Sequence, residues 1–299
     1  QAEDGIRDVE RSRGLGDVYK RQAESNRLGF FLPESSKYGV GMVFGSKDEE
    51  LRSKCDQIIE NCVGHYGMKV LGWRDVPTSN DCLGRIALQS EPTVKQIFVD
   101  GAGLEAKSLE RALYLARKRS EKLVRKNFGQ NGDDFYLTSF SCSTICYKGM
   151  FMAWQLFAYY PDLADERVSS ALAVVHQRYS TNTFPSWRLA QPLRCVAHNG
   201  EINTLSGNRN WMQARQMKMF SEAFGDNIND LFPILSPEAS DSACFDSVLE
   251  LLVRAGRSMP HSVMMMIPEA FGPSYHISCL LYTSPSPRDL STSRMPSSA

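Results

Sequence analysis

The chain has 299 residues, 42% hydrophobic and 23% charged, the balance of a folded globular protein with room for one large domain or two small ones. Lys and Arg together number 34, as do Asp and Glu, so net charge gives no reason to expect nucleic acid or a membrane surface as partner. No apolar run approaches the ~20 residues of a membrane span. The 8 cysteines are scattered without a CxxC pair, which argues against a disulfide scaffold or zinc site and for reduced thiols in an intracellular compartment.

Gln1 to Gln22 is charged, with no apolar periodicity and no apolar core of a signal peptide. Cys279 to Ala299 is rich in Ser, Pro and Arg and reads as disordered. Both strings resemble translated read-through of sequencing adapters, and residues 23–278 are expected to hold the domain. Within it, Leu28–Pro33 and Tyr38–Phe44 read as strands, the second glycine-rich and therefore crowded by a neighbouring backbone. Ser46-Lys-Asp-Glu49 is a capping box. Leu51, Cys55, Ile58, Ile59, Cys62 and Val63 then recur at helical spacing, which makes Cys55 and Cys62 buried structural thiols. Lys69–Val76 and Thr93–Val99 read as strands. Leu104–Lys126 reads as a helix with Leu109, Ala112, Leu113 and Ala116 inward. Its basic residues interleave with Glu105, Glu110 and Glu121, the pattern of a solvated face and not of a nucleic-acid stripe. Phe135–Cys146 alternates like a strand, placing Cys142 and Cys146 on one face with no further ligands for a metal. A helix to Tyr160 follows, ended by Pro161.

His176 to Thr204 is the most informative stretch. The apolar runs Ala171–Val175 and Cys195–Ala197 read as a buried strand and a strand end, each finishing in polar residues where sites tend to lie. Arg178 offers a planar fork of donors for a carboxylate. Asn199-Gly200 sets a side-chain amide beside a backbone N–H that no Cβ shields, the equipment of an oxyanion hole. The plain alternatives are a surface ion pair for Arg178 and a type I′ hairpin turn for Asn-Gly. Gly207–Phe220 reads as a helix contacting its neighbours through Trp211, Met212, Ala214 and Met219. Ser240 opens another, with Cys244, Val248, Leu251, Leu252 and Ala255 on one face and Asp241 in the first turn, where the helix dipole favours an acid. Ser262–Ile267 is a last strand or helix start. Strands and helices mixed without regular βαβ alternation predict an α+β fold.

The strings HQRYSTNTFPSWRLAQP, AHNGEINT, SDSACFDSVLELL and MMMIPEAF, with GVGMVF and TICYKGM, carry a resemblance over residues 25 to 278. The chain resembles the glutamine amidotransferase domain of the glutamate synthase large subunit, a class II family with an N-terminal nucleophile. The resemblance implies a four-layer αββα sandwich that hydrolyses the side-chain amide of L-glutamine to release ammonia. An N-terminal cysteine would attack, with its own α-amino group as base. Arg178 would hold the substrate carboxylate, Asp241 its ammonium group, and Asn199 and Gly200 the oxyanion. His176, His198 and Glu201 flank these positions as structural support.

In the parent enzyme the ammonia would join 2-oxoglutarate to make glutamate, using FMN and an iron–sulfur cluster in other domains of the same chain. The electron donor would be NADPH, NADH or ferredoxin, and the compartment the cytoplasm, or a plastid in a eukaryote. Neither cofactor is expected here, since the sequence has no GxGxxG and no cysteines at cluster-ligand spacing. One departure stands out. No cysteine precedes Cys55, and Tyr38 stands ahead of Gly39-Val-Gly41 where the motif would need one. The chain as given is therefore expected to be inactive alone. The alternative is an inert glutamine-binding or structural module. An asparagine or glucosamine-6-phosphate synthase type fits the stretch between the two clusters and MMMIPEAF less well.

Overall fold

Strand β1 (Tyr38–Gly45) lies between two neighbours, and its glycines are there to make room for side chains. A Cβ on Gly39 would sit 2.5 Å from Leu113 Cδ1, and one on Gly41 would sit 2.6 Å from Ile97 Cγ2. The crowding predicted around this strand is real, but side chains cause it and not a backbone. The computed structural model describes residues 25, 27–168, 170–177, 185–198, 202, 205–236 and 239–267. They fall into two units that divide between Leu172 and Ala173.

In the first unit, β2 (Lys69–Asp75), β3 (Thr93–Asp100) and β4 (Tyr136–Ser141) join β1 in an antiparallel sheet of order β2-β3-β1-β4. The register pairs Tyr38 with Asp100 and Gly45 with Thr93, and bulges lie at Met42/Val43 and Val70/Gly72. Helices α1 (Glu49–His65) and α3 (Ala106–Phe128) cover one face; α2 (Arg85–Gln89) is short. Cys55, Ile59, Cys62 and Val63 from α1 and Leu109, Leu113 and Ala116 from α3 pack on Val43, Ile97, Val99 and Leu137. The helical spacing read in the sequence is thus the core-facing stripe of both helices.

Gln96 and Phe98 alternate onto the other face. There Phe30 tilts against Phe98, and Arg74 makes a two-pronged ion pair with Asp162 (2.7 Å for Nη1 to Oδ2). Arg74 also donates to Gln96 Oε1, Gln96 Nε2 to the Tyr147 hydroxyl, and that hydroxyl to Asp162. This closed ring of four side chains ties residues 147–162 to the sheet.

Several expectations are corrected. Leu28–Pro33 is no strand: the chain leaves a helical turn at Gly29, whose φ of +79° suits glycine, and Leu32 N–H donates to Ser25 Oγ. The cap of α1 is Asp48, whose carboxylate accepts from Leu51 N–H, while Ser46 accepts from Asp48 N–H. Strand β4 stops at Ser141, so Cys142 and Cys146 share no strand face. Between Met150 and Tyr160 there is one turn of helix, α4 (Leu156–Tyr159), after a 3-10 turn. Ala171–Val175 is not a buried strand: Leu172 and Val175 are 77% and 73% exposed, and no strand pairs with the run among the described residues. Nor do Cys195–Ala197 form a strand. Apolar composition records what a segment prefers to bury, while a strand also needs a ladder partner.

In the second unit, α5 (Leu205–Gln216) ends earlier than predicted; it has no fully buried residue, and Trp211, expected to make an apolar contact, is 66% exposed. Helices α6 (Asp241–Arg254) and α7 (Met259–Met266) follow, the latter deciding for helix where the sequence left strand open. Cys244, Leu249 and Leu251 of α6 are buried, as are Leu193, Leu231 and Ile234.

The packing of β1 gives a stability prediction. Gly39→Val forces a branched side chain into buried Leu113 and should cost about 3 kcal/mol, in the range of core overpacking. A Cβ on Gly64, inside α1, meets nothing within 4 Å, so Gly64→Ala should stabilise by up to ~1 kcal/mol. Urea unfolding of both variants checks the pair; equal shifts would sink the packing account.

Candidate active site

Helix α6 organises what is described of the site. Ser240 caps it, its hydroxyl accepting from Ala243 N–H at 3.1 Å. Asp241 is the first residue inside, only 3% exposed, with Oδ1 accepting from the Ser242 N–H at 2.7 Å and hydroxyl at 3.3 Å. A buried carboxylate at a helix N-terminus is stabilised by the dipole there and suits an ammonium ligand.

Five residues on, Asp246 is 2% exposed. Its Oδ1 accepts from the N–H groups of Cys195 (2.7 Å) and Val196 (3.1 Å), and its Oδ2 from that of Arg194 (3.3 Å). Burial, reinforced by Glu250, raises this carboxyl above its ordinary value, while Arg194 and the backbone donors pull it down. Gln191 completes the clasp: Oε1 accepts from His198 N–H at 2.9 Å and Nε2 donates to His198 C=O at 3.1 Å. A turn bond runs from Leu193 N–H to Val196 C=O. The His198 ring lies 6.5 Å from that of Phe245, and its Nε2 has no hydrogen-bond partner among the described residues.

Of the residues picked out in the sequence, Asp241 is placed here. Arg178, Asn199, Gly200 and Glu201 lie outside the described residues. His176 is half-buried. Asp246 and Gln191 were not picked out. The available signal for Asp246 was an acid among apolar residues between Cys244 and Val248, a place that needs buried partners.

Cys55 and Cys244 are unsuited to attack. Burial, with the Asp56 charge beside it, pushes the Cys55 thiol up to about 11, and burial also raises Cys244. A thiol held protonated is a poor nucleophile. Among the described residues no group of three His, Cys, Asp or Glu side chains is placed to hold a metal ion. No helix there is long and apolar enough to cross a membrane.

The sequence pattern of the family described as glutamine amidotransferases class-II matches residues 17–281. The chain belongs to the class II glutamine amidotransferases. Within them, it is 47% identical over 251 residues to "Glutamate synthase [NADPH] large chain" of Bacillus subtilis, covering 83% of this chain and 16% of that relative. It is 44% identical over 270 residues to "Glutamate synthase [NADH]" of Saccharomyces cerevisiae, covering 86% and 12%. It is 40% identical over 256 residues to "Ferredoxin-dependent glutamate synthase 2, chloroplastic" of Arabidopsis thaliana, covering 85% and 16%. The amidotransferase chain thus spans 12–16% of the length of these relatives. Mixed helices and antiparallel strands agree with the predicted α+β class.

Proposed function

We propose that this chain is the glutaminase part of a glutamate synthase, releasing ammonia from L-glutamine for the synthesis of L-glutamate from 2-oxoglutarate. The observation that carries the reading is Asp241, buried at the start of α6 in the string that marks the family. Asp241 takes the α-ammonium group of glutamine and Arg178 its α-carboxylate. The side-chain amide then faces a cysteine thiolate at the N-terminus of the mature amidotransferase. Attack on the amide carbon places negative charge on its oxygen, which Asn199 and the Gly200 N–H receive. The α-amino group of the cysteine carries the proton to the departing ammonia, and water hydrolyses the thioester to glutamate.

The sheet with its two covering helices is one half of the four-layer αββα sandwich in this reading. FMN and the iron–sulfur cluster belong to other parts of the synthase in this reading. Ferredoxin, or a subunit using NADPH or NADH, is the proposed electron partner. The relatives named above include all of these donor types. The cytoplasm or a plastid is the proposed compartment.

The test grafts a family-type Cys-initiated N-terminal segment onto residue 23 and measures ammonia release from L-glutamine. The graft should hydrolyse glutamine, with Arg178→Ala raising KM and Asn199→Ala lowering kcat on the order of 100-fold, the usual loss for one oxyanion donor. A folded graft that binds glutamine without hydrolysing it would favour the inert module. Activity indifferent to both substitutions would remove the site assignment.

A further inference from the structure

We infer that Asp246 and Gln191 are positioning residues that hold the oxyanion donors in place, an inference that rests on the glutaminase reading above. Asn199 follows His198 directly in the chain. His198 is gripped at both its N–H and its C=O by the Gln191 amide, and Arg194, Cys195 and Val196 all donate their N–H groups to the Asp246 carboxylate. Between them, two side chains fix the backbone up to the residue before the donors. An oxyanion donor works only when its N–H is already aimed at the developing charge, and misplacement by about 1 Å can cost on the order of 100-fold in rate.

The grip also sets a distance. Asp246 lies five residues after Asp241 on one helix, a rise of roughly 7.5 Å at 1.5 Å per residue. The anchor for the substrate ammonium group and the anchor for the oxyanion segment are therefore parts of one rigid element. A change at Asp246 should leave glutamine bound at Asp241 while displacing the donors from its reacting end. Neither Asp246 nor Gln191 need touch the substrate.

The experiment is glutamine hydrolysis by the full-length synthase carrying this domain. Competent sites are counted with a glutamine analogue whose electrophilic ketone alkylates the N-terminal thiol. Gln191→Ala should lower kcat per competent site at least ~10-fold, and Asp246→Ala ~100-fold, with KM for glutamine kept within ~3-fold. Asp246→Asn keeps an acceptor oxygen for Cys195 and Val196 and should return to within ~10-fold of the parent rate. If Asp246→Ala does not fold, Gln191→Ala and Asp246→Asn decide.

Unchanged kcat per site in Gln191→Ala, or losses accounted for wholly by fewer competent sites, would overturn the inference. Asp241→Asn in the same series tests the underlying reading by itself. A KM unmoved there overturns that reading, whatever Asp246 and Gln191 show.

Discussion

Asp241→Asn should raise KM for L-glutamine by two orders of magnitude while leaving the protein folded. The carboxylate is 3% exposed at the N-terminus of α6, where the substrate ammonium group would find little competing water. Asn has the same shape and keeps an oxygen to accept from Ser242 N–H, so what is lost is the charge. Unpairing one partner of a buried charge pair costs about 2–4 kcal/mol, which is roughly 30- to 700-fold in affinity. The turnover at saturating glutamine should change less than tenfold, because the reacting amide lies at the other end of the substrate. An analogue lacking the α-amino group isolates the effect. The unsubstituted protein should prefer L-glutamine over it strongly, and the Asn variant should not. Equal binding of both compounds by the unsubstituted protein would show that Asp241 has another role.

Raising the pH above 10 should progressively destabilise the sheet unit. Burial pushes the Tyr147 hydroxyl up to about 12 from 10.0, with the Asp162 carboxylate adding to it. Burial raises Tyr159 and Tyr160 further; Glu91 adds to the shift of Tyr159, and Tyr159 to that of Tyr160. Their hydroxyls donate to Asp162, Glu91 and the Lys148 carbonyl, so each must keep its proton in the folded state. Above the unfolded value of 10.0 the unfolded chain gives these protons up while the folded chain retains them. Stability therefore falls as pH rises, by about 1.4 kcal/mol per unit for a group that keeps its proton in the folded state alone. Cys55, raised to about 11 from 9.0, starts the decline one unit earlier. Tyrosinate absorbance and near-UV dichroism should change together for these residues. Ionisation near pH 10 with the dichroism intact would show that their hydroxyls are not enclosed as described.

Local patterns in the sequence were enough for the elements whose partners matter least. The stripe through Cys55, Ile59, Cys62 and Val63 marked α1, and that through Leu109, Leu113 and Ala116 marked α3, because helical spacing is written within a few turns of the chain itself. Strands β1, β2 and β3 were legible for the same reason, and the motif strings were enough to point to the family. The α+β class followed from both. What the sequence left undecided depends on contacts between distant residues. Ala171–Val175 has the composition of a buried strand but finds no ladder partner among the described residues, and Leu28–Pro33 folds into a turn that sends Phe30 onto Phe98. Trp211 keeps helical spacing yet lies on an exposed face. Asp246 reads as one acid in an apolar helix until Arg194, Cys195 and Val196 close on it from about 50 residues away. Its partners are backbone N–H groups, which every residue but proline carries, so no side-chain motif could announce them; the path of the chain alone brings them there.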